Sequence, residues 1–229
     1  MNTTWQSASE CTFVLFLGGV IDLEKQKQCW ALADRLRQTP IEGVQVEEVV
    51  VGMNALTVYL NLYQLPQAYE VGRYQAALSA FTEAFFLTNQ AQSATAGKHV
   101  KIPVIYGGEH GMDLQASAKL LGMSVRELVE RHTAPIYTVY FIGFLAGFPY
   151  LGGLPKELHL PRHTKPRLAV PAGSVGIGGA QTGIYPLASP GGWQLLGRTD
   201  LALFDKNSTP PTLLQAGDTL QFVAVDILD

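Results

Sequence analysis

The first hundred residues alternate between two hydrophobic periods. A short apolar run, Phe13 to Leu17, predicts a strand. Asp22 then stands where a side chain can cap a helix running to about Arg37, with Leu23, Trp30, Ala33 and Leu36 on its inward face. Thr39-Pro40 ends that helix. Val44 to Val51 and Ala55 to Leu60 are rich in β-branched residues and are joined by Gly52-Met53-Asn54, which predicts a hairpin. From Val71 the apolar positions Tyr74, Leu78, Phe81 and Phe85 recur at alternating spacings of four and three, the signature of one helix face. His99 to Ile105 supplies a last strand, and the order β-α-β-β-α-β predicts a ferredoxin-like α/β domain over residues 1–105.

Beyond residue 105 the pattern changes. Asp113 to Leu121 and Ser124 to Arg131 predict two short helices, and Ser124 with Glu127 has capping-box spacing. The Gly122-Met123 break gives them a helix-turn-helix outline. The second helix carries Glu127 and Glu130 beside Arg126 and Arg131, so its attraction for phosphates largely cancels. Ile136 to Phe144, Arg167 to Val170, Trp193 to Leu196 and Thr219 to Ile227 are short β runs between glycine and proline turns, which predicts a β barrel for residues 106–229. The expected fold class is α+β.

Composition narrows the function. Hydrophobic residues are 47% of the 229 and charged residues only 15%, against about 25% charged in an average soluble domain, so part of the surface is expected to meet a partner. A net charge of -3 provides no general field for a polyanion, and no nucleic-acid ligand is expected. The apolar run Phe13 to Ile21 follows Glu10, contains two glycines and is too short to span a bilayer. A cytoplasmic chain with no membrane segment is therefore expected. Cys11 and Cys29 read as buried thiols, and no His/Cys/Asp/Glu spacing suits a protein-bound metal.

Candidate chemistry concentrates in three places. Leu168 to Gly197 holds eight glycines and no Asp, Glu, Lys or Arg. Its glycines either let backbone N–H groups approach a ligand or form tight barrel corners. Pro161-Arg162 and Pro166-Arg167 place two guanidiniums five positions apart. On a straight strand they face opposite ways, and they converge, with Lys165, on a carboxylate or phosphate only if residues 163–165 turn. The alternative is two exposed loop arginines. At the junction of the two halves, Glu109 or His110 could transfer protons in a cleft, whereas Asp113 reads as a helix cap. His132 follows a helix, where it reads as a satisfied, partly buried group or as a catalytic one. Ser174 and Ser189 lack a nucleophile elbow, which argues against a serine hydrolase.

Several long segments in one order resemble a known family. They are Ile102-Pro-Val-Ile-Tyr-Gly-Gly108, His132-Thr-Ala-Pro135, Gly143-Phe-Leu-Ala-Gly-Phe-Pro-Tyr-Leu151, Pro161-Arg162 with Pro166-Arg167, Val170-Pro-Ala-Gly-Ser-Val-Gly-Ile177, Gln181-Thr-Gly-Ile-Tyr-Pro186, Ser189-Pro-Gly-Gly-Trp193 and Gly197-Arg-Thr199. They resemble the family of the bacterial 5-oxoprolinase B subunit, which also holds the KipI kinase inhibitor, proteins labelled allophanate hydrolase subunit 1 and a carboxyltransferase subdomain of urea amidolyase. Ala146 stands where that pattern expects proline, and the first 60 residues match only loosely.

The resemblance implies a cyclophilin-like barrel after a small α/β domain. It implies ATP, with Mg2+ arriving on the nucleotide, and partners in a homologous C subunit and an A subunit that together open 5-oxoproline to glutamate. Arg162 and Arg167 would then hold phosphate or substrate carboxylate, and Glu109 or His132 would help proton transfer. The backbone of Gly173, Ser174, Gly176, Gly178, Gln181 and Thr182 would line the pocket, with Lys165, Tyr185 and Arg198 also contacting substrate or nucleotide. The alternative activity is KipI-like inhibition of a sensor histidine kinase.

Overall fold

The computed structural model describes residues 4–19, 22–61, 70–88 and 97–228. The end of the apolar run at residues 20–21 lies outside them. The chain divides into two units, residues 1–95 and 96–229.

In the first unit the local signals place most elements. Strands β1 (Gln6–Ser9) and β2 (Thr12–Phe16) precede helix α1 (Leu23–Gln38), strands β3 (Val46–Gly52) and β4 (Ala55–Leu60), and helix α2 (Val71–Leu87). The Asp22 carboxylate accepts from the Glu24 and Lys25 amides, satisfying two of the donors that a helix start leaves unpaired. The β3–β4 hairpin turns through Asn54 at φ 47, a left-handed position that asparagine tolerates. Phe13, Leu15, Leu32, Leu56, Val58 and Leu78 are buried together, and the Trp5 indole donates to Thr82 Oγ1 at 2.9 Å. Cys29 is buried, which pushes its thiol up to about 12, but Cys11 is only half-buried, contrary to expectation.

The sheet order is β1-β2-β4-β3, all antiparallel: β2, β4 and β3 take the neighbour order of the expected split βαβ arrangement, but the fourth strand is not the one expected. The strand expected to close that sheet, β5 (His99–Gly107), belongs to the second unit. There it runs parallel to the C-terminal strand, with His99 opposite Thr219 and Leu228 opposite Gly107. Hydrophobic period marks a strand but says nothing about which sheet will take it. The first sheet is completed instead by β1, whose exposed Gln6–Ser9 carries no apolar run.

After β5 come helices α3 (Leu114–Leu121) and α4 (Val125–Thr133), then β6 (Tyr137–Ile142), β7 (Pro149–Gly152), β8 (Arg167–Val170), β9 (Ser174–Gly178), β10 (Gln181–Ile184), β11 (Ser189–Gly191), β12 (Gln194–Arg198) and β13 (Thr219–Leu228). Ser124 caps α4 by accepting from the Glu127 amide. The main sheet runs β10-β9-β12-β5-β13-β6-β7, while β8 and β11 form a separate ribbon. The edge strands β10 and β7 lie side by side, with Gly183 backed against the Pro149 carbonyl, so the sheet curls into a nearly closed barrel. Such closure leaves few free edges.

His132 sits inside this barrel, wholly buried and stacked on Phe222 at 4.6 Å between ring centres. Thr182 donates to the Gly176 carbonyl, so it must accept from His132 Nε2–H at 2.8 Å; the Tyr106 hydroxyl then donates to Nδ1, also at 2.8 Å. Burial lowers the imidazole from 6.5 to about 3. The folded state thus keeps it neutral while the unfolded chain takes up a proton. Stability is full above pH 6.5 and is lost as pH falls from there toward 3, at up to about 1.4 kcal/mol per pH unit for this group. Urea titrations at stepped pH are expected to show that slope in the wild type and a shallower one in His132→Gln; equal slopes would remove His132 from the account.

Candidate binding pocket

The pocket forms where the loop after β7 and the turn before β12 meet. Trp193 is its floor. Phe148 and Tyr185 meet the indole edge-on, with ring centres 5.6 and 6.1 Å away, and Phe148 lies 5.0 Å from Tyr150. Glycines make this packing possible: a side chain on Gly178 would enter the Trp193 ring, and one on Gly191 would meet the Tyr185 hydroxyl at 2.5 Å. Pro166, Pro190 and the exposed Phe144 complete a cavity of about 270 Å3.

The two arginines converge here because residues 161–166 turn, as their spacing requires. Pro161 accepts from the Gln194 side chain at 2.9 Å, and the His163 amide donates to the Gly192 carbonyl at 2.7 Å. Those two bonds bracket Arg162 and lay its guanidinium over the Trp193 ring at 5.8 Å, within cation–π range. Arg167, at the start of β8, reaches the same residue from its backbone side, 3.5 Å from the Trp193 carbonyl.

Their charges have different fates. Arg167 donates to Asp113 at 2.6 Å, and the same carboxylate accepts from the Leu195 amide at 2.7 Å and stands 3.3 Å from His163 Nε2. Asp113 precedes α3, but its side chain makes no helix cap, so the capping role expected for it is replaced by this network. Arg162 has no acidic partner among the described residues and is the cation the pocket presents.

Burial raises the Tyr150 hydroxyl above the usual phenol range, with Arg162 opposing. Burial likewise raises Tyr185, opposed by the Trp193 backbone and by Arg162. Both phenols are protonated donors at neutral pH. The pocket thus presents one guanidinium and two hydroxyl donors, and no carboxylate or imidazole among its described lining residues.

The other sequence candidates lie elsewhere. Glu109 is 89% exposed and 3.9 Å from His110. His132 has both nitrogens engaged in the barrel core, leaving no free position for proton transfer. Gly173, Ser174, Gly176, Gly178 and Thr182 are buried, and the glycines among them admit neighbouring backbone or the Trp193 ring. Gln181 is half-buried, Lys165 is exposed, and Arg198 keeps a buried Nε without a partner; none of the three lines the cavity. Sequence reasoning missed Asp113, His163, Phe148, Tyr150 and Trp193 as pocket builders. Their only signal was a density of aromatics beside uncharged glycine turns. Among the described residues there is no metal-holding group of three or more His, Cys, Asp or Glu.

The barrel thus carries a small cavity in which one guanidinium without an acidic partner among the described residues lies over an aromatic floor. Residues 3–214 match the model of the carboxyltransferase domain, subdomain C and D. The chain is 48% identical over 223 residues to the 5-oxoprolinase B subunit of Haemophilus influenzae, covering 96% of both chains, and 44% identical to the 5-oxoprolinase B subunit of Escherichia coli O157:H7, covering 93% of this chain and 92% of that one. The solved structure of TTHA0988 is 34% identical with a TM-score of 0.73, over 93% of this chain and 40% of that chain. The chain thus spans about two fifths of TTHA0988. It belongs to the family of carboxyltransferase subdomain C and D proteins that includes the B subunit of 5-oxoprolinase.

Proposed function

We propose that the chain is the B subunit of an ATP-dependent 5-oxoprolinase and is inactive alone. It would act with a homologous C subunit and an A subunit in the cytoplasm. The carrying observation is 48% identity to a 5-oxoprolinase B subunit over nearly the whole of both chains. All three curated relatives bear that name, which does not favour the kinase-inhibitor alternative.

The chemistry explains the need for ATP. A lactam carbonyl is a poor electrophile. Transfer of the γ-phosphoryl to its oxygen releases ADP; water then adds at that carbon, C–N cleavage frees the amine and leaves an acyl phosphate, and a second water hydrolyses that to glutamate and phosphate. Mg2+ would arrive with the nucleotide. The pocket's described lining residues include no carboxylate or imidazole, which supports a binding role here, with the proton transfers supplied by other subunits. Beyond Leu220, β13 has no β6 residue paired to it and exposes Val223, Val225 and Ile227. Apolar edges of this kind are normally covered, which supports a partner subunit. No helix among the described residues is long and apolar enough to cross a membrane.

Reconstitution from separately purified A, B and C subunits tests the proposal. Glutamate release from 5-oxoproline is expected to need ATP and to vanish when this chain is left out. Undiminished release without it would overturn the assignment.

A further inference from the structure

The structure assigns the Arg162–Trp193 pocket to the carboxylate-bearing lactam and excludes the nucleotide from it; this inference rests on the proposed function. Charge is the first reason. A triphosphate spreads several negative charges over many oxygens and is ordinarily met by more than one cation together with backbone N–H groups. Here Arg167 is already neutralised by Asp113 at 2.6 Å, leaving one guanidinium. One guanidinium matches one carboxylate, which it can bind through two N–H donors.

Size is the second. The cavity of about 270 Å3 falls below the roughly 300–1,000 Å3 of pockets that enclose drug-sized ligands. A single five-membered ring fits such a volume, and a nucleoside triphosphate does not.

Shape and polarity agree. The ring lies against Trp193 and Phe148, and the protonated hydroxyls of Tyr150 and Tyr185 can donate to the amide carbonyl. Phe144 stands at the cavity with 61% of its surface exposed and φ at 66, in a region a bulky residue seldom occupies. That backbone holds the ring edge-on to Phe148 at 5.5 Å, where it can cover an apolar ligand.

The test uses the full chain and the reconstituted complex. In the complex, Arg162→Ala is expected to raise the KM for 5-oxoproline by about tenfold or more, as loss of a charge-assisted contact implies, with the KM for ATP unchanged. Arg162→Lys should recover part of the loss, and Tyr150→Phe should give a smaller rise. With the chain alone, NMR titration should shift the Trp193 indole N–H with 5-oxoproline, far less with 2-pyrrolidinone, which lacks the carboxylate, and not with ATP. A KM for 5-oxoproline unmoved by Arg162→Ala, in a complex that still needs this chain, would overturn the pocket assignment and leave the enzymatic one standing. Carboxylate-dependent binding by the chain alone, with turnover indifferent to its presence, would do the reverse. Displacement of the lactam by ATP at Trp193 would also overturn the assignment.

Discussion

Asp113→Ala is expected to destabilise the second unit by about 3 kcal/mol, the lower end of the range for removing one partner of a buried ion pair. The lower end applies because the Arg167 side chain keeps 25% of its surface exposed and can regain water, whereas the Asp113 side chain keeps only 9%. Three donors lose their acceptor together: the Arg167 guanidinium, the Leu195 amide and, when Nε2 carries its proton, His163. The Leu195 amide is the costliest, because it is buried and cannot turn away.

Function should fall with stability, through Trp193. Arg167 approaches the Trp193 carbonyl and Asp113 holds the next-but-one residue, so their pairing sets where the indole lies beneath Arg162. Asp113 is thus a positioning residue: Asp113→Asn should raise the KM for 5-oxoproline more than it lowers kcat. A double-mutant cycle of Asp113→Ala with Arg167→Ala, read by urea unfolding, should be strongly non-additive. Additive losses would mean that the pair is not coupled.

The second large effect is expected at Gly173. Its φ is +81, and a Cβ there would overlap the Thr199 carbonyl oxygen, so Gly173→Ala meets both a conformational penalty and a clash with backbone that cannot rotate aside. A loss of about 4 kcal/mol or more is expected, in the exceptional tail of single substitutions. Gly179 separates the two causes. It has φ +67 but open space around its Cβ position, so Gly179→Ala should cost only about 1–2 kcal/mol, the left-handed penalty alone. Thermal unfolding of the two variants side by side checks this. Equal shifts in Tm would show that the Thr199 contact yields and that the clash contributes nothing.

Both effects concern groups whose importance the sequence misstates. Asp113 read as a cap because it precedes a helix, which is a local fact and correct as far as position goes. Its carboxylate instead answers Arg167 and Leu195, 54 and 82 positions away. Gly173 read as part of a possible ligand cradle, since glycine density looks the same whether the atom approaching is a ligand oxygen or the protein's own carbonyl. His132 shows the same limit: its place after α4 is legible, while its burial against Phe222 depends on β13, at the far end of the chain.

What the sequence determined by itself was local: the span and capping of α1 by Asp22, the Ser124 cap, the hairpin through Asn54, the strand β8, and the family through its ordered motifs. Each rests on interactions within a few residues, or on residue identity, so a linear string contains it. Tertiary structure alone decided that β5 joins the barrel, that Arg167 is neutralised while Arg162 is not, and that a cation over Trp193 faces an open cavity. Strand pairing and charge pairing are settled by which distant groups arrive within a few ångströms, and hydrophobic period carries no record of that meeting.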